Sequence, residues 1–150
     1  MMQTFATFGA VIGIPVVLLV LGLATWGVGR AFGGTLSYGT ALLVASFGWF
    51  PRAIEAVINS VQGLVLDTSK MTSHYQLTLS AARFLDASAA SPMVLALLGR
   101  LDLITLWVTA LLAIGLVSAG KVAKDKAIVV GAVLWLISAI PGLFAAWRAS

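Results

Sequence analysis

"LSYGTALLVASFGWFPRAIEAVINS", Leu36 to Ser60, begins with 15 residues without a charge, Leu36 to Phe50, and then sets a proline, an arginine and a glutamate inside the apolar run. Those 15 residues form only about 22 Å of α-helix, short of the roughly 30 Å hydrocarbon core of a bilayer. A helix that completes the crossing must therefore carry Pro51, Arg52 and Glu55 into or close to the membrane. On this reading the span covers residues 38–60 and bends at Pro51. Arg52 and Glu55, three residues apart and hence neighbours on one face, neutralise one another at the bend. Even the lowest estimates put an ionisable side chain at the bilayer centre at about 2.5 to 3.5 kcal/mol, so the pair is a candidate site. Two readings follow. The pair satisfies itself, with Arg52 snorkelling outward, or it forms a polar site that receives a lipid headgroup or a partner helix.

The rest of the chain supports a membrane reading. Of its 150 residues, 61% are hydrophobic and 9% charged, against roughly 25% charged in a soluble domain. Residues 5–28 are 24 residues without a charge, about 36 Å of helix. A Gly-rich turn follows, Gly29 to Ser37. Residues 103–120 and 127–147 are two further spans, separated by "KVAKDK", Lys121 to Lys126. Between the second and third spans lies the most polar segment, Asp67 to Ser91. There Leu77, Ala81, Phe84 and Leu85 recur at helical spacing and predict an amphipathic surface helix. "SPMVLALLGR" then predicts a short helix with Ser91 as N-cap and Pro92 in its first turn, too short to span. The expected fold is an all-α polytopic transmembrane helical bundle, one domain over residues 1–150. It has four spans, 5–28, 38–60, 103–120 and 127–147, plus a short interfacial or re-entrant helix.

The net charge of +4 comes from scattered Lys and Arg, not from a basic face with interleaved aromatics, so nucleic acid is not an expected partner. By the positive-inside rule the Lys121–Lys126 turn is cytoplasmic, and the Arg30 turn, two crossings back, shares its side. With no Cys and one His, His74, the chain has no thiolate site and no all-histidine metal site. No cofactor or metal is expected. "GLVSAGKV", Gly115 to Val122, mimics a phosphate loop, but Val122 stands where Ser or Thr must bind magnesium and no strand precedes it. No serine occupies a nucleophile elbow, and the chain reads as a non-enzyme. Asp102 is placed as the N-cap of the third span, and Trp107 as a packing residue or interfacial anchor. Gly9 and Gly13 form a GxxxG pair that permits close helix packing, more readily inside the chain than across a dimer seam.

At "LLGRLDLITLWVTALLAIGLVSAGKVAKDKA", Leu97 to Ala127, the chain resembles the Yip1 family of membrane proteins, particularly its bacterial members. The pattern is a short apolar helix, then Asp102, Leu103, Thr105, Leu106 and Trp107, then an aliphatic span ending in a basic turn. Upstream, "FGGTLSYGTALL" and a helix with a central proline fit the same order. The resemblance implies a five-span bundle, of which this chain corresponds to the last four spans, in the bacterial inner membrane. It also implies a non-enzymatic protein acting through helix partners or lipids, as in membrane organisation or a trafficking-type adaptor. The expected partners are the lipid bilayer and a membrane protein or a second copy of the chain. The alternative is a small transporter or permeation subunit with a polar site at the broken second span.

Overall fold

Uninterrupted apolar sequence builds the long helices, and local turn chemistry ends them. A computed structural model describes residues 2–65, 71 and 73–149, with the backbone alone for residues 2–11 and 74. Its helices are α1 (Met2–Ala31), α2 (Tyr38–Gly48), α3 (Phe50–Val65), α4 (Pro92–Arg100), α5 (Leu103–Ser118) and α6 (Ala127–Arg148). Among the described residues three stretches are long and apolar enough to cross a membrane: Ile12–Ala31, Tyr38–Val65 and Lys124–Arg148. The fold is the expected all-α membrane bundle.

The third expected span is shorter than its apolar sequence. α5 has 16 residues, about 24 Å of helix, less than the hydrocarbon thickness. It stops because Lys121 takes the left-handed conformation, φ 57°. Gly120 N then donates back to Gly115 O and Val122 N to Leu116 O, closing the last turn. The second span breaks at Trp49, two residues before Pro51. Pro51 itself is buried in the first turn of α3, where a backbone N–H has no intrahelical acceptor and its absence costs nothing.

The helices pack in two units, Met1–Trp49 with Leu111–Leu134, and Phe50–Ala110 with Trp135–Ser150. In the first unit, the turn after α1 passes through Gly33, φ 88°, and Gly34 N donates to Gly29 O at 2.8 Å. This turn is tied to the one after α5 by Thr35 N donating to Gly120 O and by Lys126 Nζ donating to Phe32 O. Ser37 caps α2 through its Oγ, which accepts from Thr40 N. α2 runs antiparallel to the second half of α5 at close range. A Cβ on Gly48 would lie 2.7 Å from Leu112, and one on Gly115 would lie 2.5 Å from Val44. Around these contacts Ala41, Ala45, Leu116 and Val130 are buried.

At the GxxxG pair, a Cβ built on Gly13 meets nothing within 4 Å among the described residues, and of Gly9 only the helical backbone is described. Close approaches fall at Gly22, against Leu42, and at Gly48 and Gly115.

The second unit corrects the amphipathic helix expected from Leu77 to Leu85. Two single 3-10 turns stand in its place, His74–Leu77 and Ala81–Phe84. Ser and Thr compete with the helix ladder here. Ser73 Oγ accepts from Tyr75 N, and the Thr78 hydroxyl donates to Tyr75 O. The backbone then pairs with the start of α5, Ala81 N donating to Leu101 O and Leu103 N to Leu79 O. These bonds satisfy groups that a helix would have needed. The short helix is as expected: α4 begins with Pro92 in its first turn, and Ser91 Oγ accepts from Val94 N.

The turn after α1 makes a sharp stability prediction. A Cβ on Gly34 would sit 2.8 Å from the carbonyl oxygens of both Gly29 and Gly120, backbone atoms that cannot step aside. Gly34→Ala should cost about 1–3 kcal/mol, whereas Gly13→Ala, which meets open space, should be neutral or stabilising. Thermal unfolding in detergent, followed by circular dichroism, compares the two directly. Equal stability of both variants would rule out the packed turn.

Candidate functional site

Arg52, Glu55, Asn59 and Gln62 recur along α3 at intervals of three and four, which places all four on one stripe. The opposite side carries Val57, Val61, Leu64 and Val65, all exposed. In water this polarity would be inside out. In lipid it is the arrangement that lets the charged stripe face protein partners while aliphatic side chains face hydrocarbon.

Arg52 is the centre of the cluster. Its Nη1 donates to Glu55 Oε2 at 2.6 Å, and its Nη2 donates to Thr105 Oγ1 on α5 at 2.7 Å. Asp102 Oδ1 lies 3.9 Å from Nη1. The Thr105 hydroxyl accepts from Arg52 and donates to Asp102 Oδ1 at 3.1 Å, so it relays the charge between helices. Asp102 is only 3% exposed. Its Oδ1 accepts from Thr105 N at 2.8 Å, the geometry of an N-cap on α5. One carboxylate oxygen thus serves both as helix cap and as counter-charge.

Arg100, the last residue of α4, extends the cluster to α6. Its Nη2 donates to the Trp135 carbonyl and to the Ser138 hydroxyl, and its guanidinium lies over the Trp135 ring at 5.7 Å. Trp135 Nε1 returns a bond to Arg100 O at 3.3 Å. Burial pulls the Arg100 pKa below its ordinary value, nearby Arg52 adds to the effect and Asp102 opposes it. On the far side of the stripe, Gln62 donates to Leu77 O and accepts from Arg83, anchoring the polar segment to α3. Two arginines and two carboxylates balance in charge, which is what a low-dielectric site requires.

The residues singled out in the sequence divide accordingly. Pro51, Arg52, Glu55 and Asp102 come together. Trp107, two residues beyond Thr105 and so on the other side of α5, is 45% exposed and points away from the cluster. Thr105, Arg100, Trp135 and Ser138 were not anticipated. Asn59 and Gln62 had a readable signal, the three-four spacing that continues from Arg52. Among the described residues no group of three or more His, Cys, Asp or Glu could hold a metal ion. Asp102 Oδ2, Asn59 Oδ1 and Arg100 Nε are buried with no hydrogen-bond partner among the described residues.

Comparison with known proteins supplies the family. The Yip1 domain model matches residues 1–146, nearly the whole chain, in accord with the resemblance carried by Asp102 to Trp107. No curated protein and no solved structure gives a match.

The cluster geometry predicts how charge reversal behaves. In a pair that served only itself, Arg52→Glu combined with Glu55→Arg would recover the stability lost in either single variant. Here a carboxylate at position 52 would face Asp102, which lies 3.9 Å from the present guanidinium. The double variant should therefore be no more stable than Arg52→Glu, with a loss of about 3–5 kcal/mol as for a broken buried ion pair. Recovery to near wild-type stability in detergent unfolding would show that Asp102 and Thr105 play no part.

Proposed function

The chain belongs to the Yip1 family, and from that premise we propose that it is a non-enzymatic membrane protein working through partner helices or lipids. Integral membrane placement rests on the three long apolar helices and the family match. The finer role proposed is membrane organisation or a trafficking-type adaptor, in a bacterial inner membrane with the Lys121–Lys126 turn on the cytoplasmic side. One observation carries the reading: the charges on α3 to α5 bind groups of their own unit. Arg52 engages Glu55 and Thr105, while Asp102 caps α5. A cluster closed in this way fixes helix positions and leaves the apolar outer faces as the surfaces that meet other molecules.

A second reading draws on the unused polar atoms. Asp102 Oδ2, Asn59 Oδ1 and Arg100 Nε are buried without a hydrogen-bond partner among the described residues, as expected of a solute site at a broken helix. Purification in mild detergent with native mass spectrometry, paired with solute and ion flux in proteoliposomes, tests the two against each other. The adaptor reading expects a bound lipid, protein or second copy and vesicles as tight as protein-free ones. Flux that is abolished by Asp102→Asn would overturn it in favour of the transporter.

A further inference from the structure

The outer surface where α2 meets α5 carries an apolar groove of about 370 Å³, lined by Thr40, Val44, Phe47, Gly48, Ile114 and Ala119 among others. Gly48 and Gly115, where the two helices approach closely, form part of its lining, and exposed Leu43, Phe47 and Ile114 form its walls. Its polar members, Thr40 and Ser118, lie at one end. The Ser118 hydroxyl bonds back to Ile114 O, and that of Thr40 pairs with Ser37, so the trough itself asks for no hydrogen bond. From Thr40 to Gly48 it follows α2 for about 12 Å.

The polar end is also the basic end. All five charged side chains of this unit belong to the two turns joined there: Arg30, Lys121, Lys124, Asp125 and Lys126, four positive and one negative, a balance of +3. Lys126 is held by Phe32 O, while Lys121 and Lys124 are exposed. Lys121 follows the groove-lining Ala119 by two residues, so their Cα atoms are within about 7.6 Å.

We infer that this groove holds one acyl chain of an anionic glycerophospholipid of the cytoplasmic leaflet, with its phosphate at Lys121 and Lys124. The apolar trough ends beside the two basic turns, and the charge found there is opposite to that of an acidic lipid. A neutral lipid would fill the trough equally well but would gain nothing from the lysines. A partner helix is disfavoured because the trough runs into a turn whose exposed charges are mainly positive. The inference rests on the proposed non-transporting role and names the lipid class.

The test uses the full chain in vesicles of equal phosphatidylglycerol and phosphatidylcholine, with retained lipid read by native mass spectrometry and solute flux read on the same vesicles. Wild type should retain one phosphatidylglycerol in preference to phosphatidylcholine. Lys121→Gln with Lys124→Gln should lower that preference on the order of tenfold. Ala119→Phe, which blocks the mouth, should release the lipid. Phe47→Ala, a truncation of a side chain that is 77% exposed, should weaken retention without touching the core, so the result does not hang on one variant folding. Equal retention of the two lipids, or loss in the lysine variant but in neither groove variant, overturns the inference. If lipid preference fails while vesicles stay tight, only this inference falls; if wild type carries flux, the non-transporting role falls with it.

Discussion

Hydrocarbon offers no hydrogen-bond partner and little dielectric screening, so every charge that a helix carries into it must be met by another group of the protein. That constraint organises the second unit. α3 carries Arg52 and Glu55 directly after the 15 uncharged residues from Leu36 to Phe50. Glu55 alone would neutralise Arg52, yet a guanidinium has five N–H donors and one carboxylate cannot use them all. The remaining donors reach Thr105, and through it Asp102. Helix α5 thereby becomes tied to α3 at its first turn, where its own unpaired amides need an acceptor.

The same economy recurs at the ends of the other helices. Arg100 ends α4 and reaches the Trp135 carbonyl and the Ser138 hydroxyl in α6. Gln62 joins α3 to the polar segment by donating to Leu77 O and accepting from Arg83. In each case one side chain with several donors or acceptors replaces water for a group that lipid would leave bare. Stability then depends on whole sets of bonds, and removing one member exposes the rest.

The first unit solves the opposite problem. It has almost no polar groups to satisfy, and water-driven burial offers little drive between helices already in lipid, so packing depends on close approach. Gly48 against Leu112 and Gly115 against Val44 provide it. The turns at one end, joined by Thr35 to Gly120 and by Lys126 to Phe32, gather the charge of the unit into one basic rim. Gly48 and Gly115 also line the trough on the outside. Residues that pack the helices thus also form part of the surface for lipid.

Sequence alone determined the class of fold, because apolar length and the scarcity of charge are properties of the chain and need no partner to be read. Helix starts at Ser91 and Asp102 were legible for the same reason: a cap bonds to amides two or three residues away. The pairing of Arg52 with Glu55 was local too. What the chain could not announce were meetings between residues far apart, such as Arg52 with Thr105 or Arg100 with Ser138, since a hydroxyl in an apolar helix looks the same whether it bonds its own backbone or a distant guanidinium. The segment from Leu77 to Leu85 misled for a related reason. Its spacing suits a helix, but its backbone groups found better partners in Leu101 and Leu103, and only the tertiary structure decides which of two available acceptors a given amide will use.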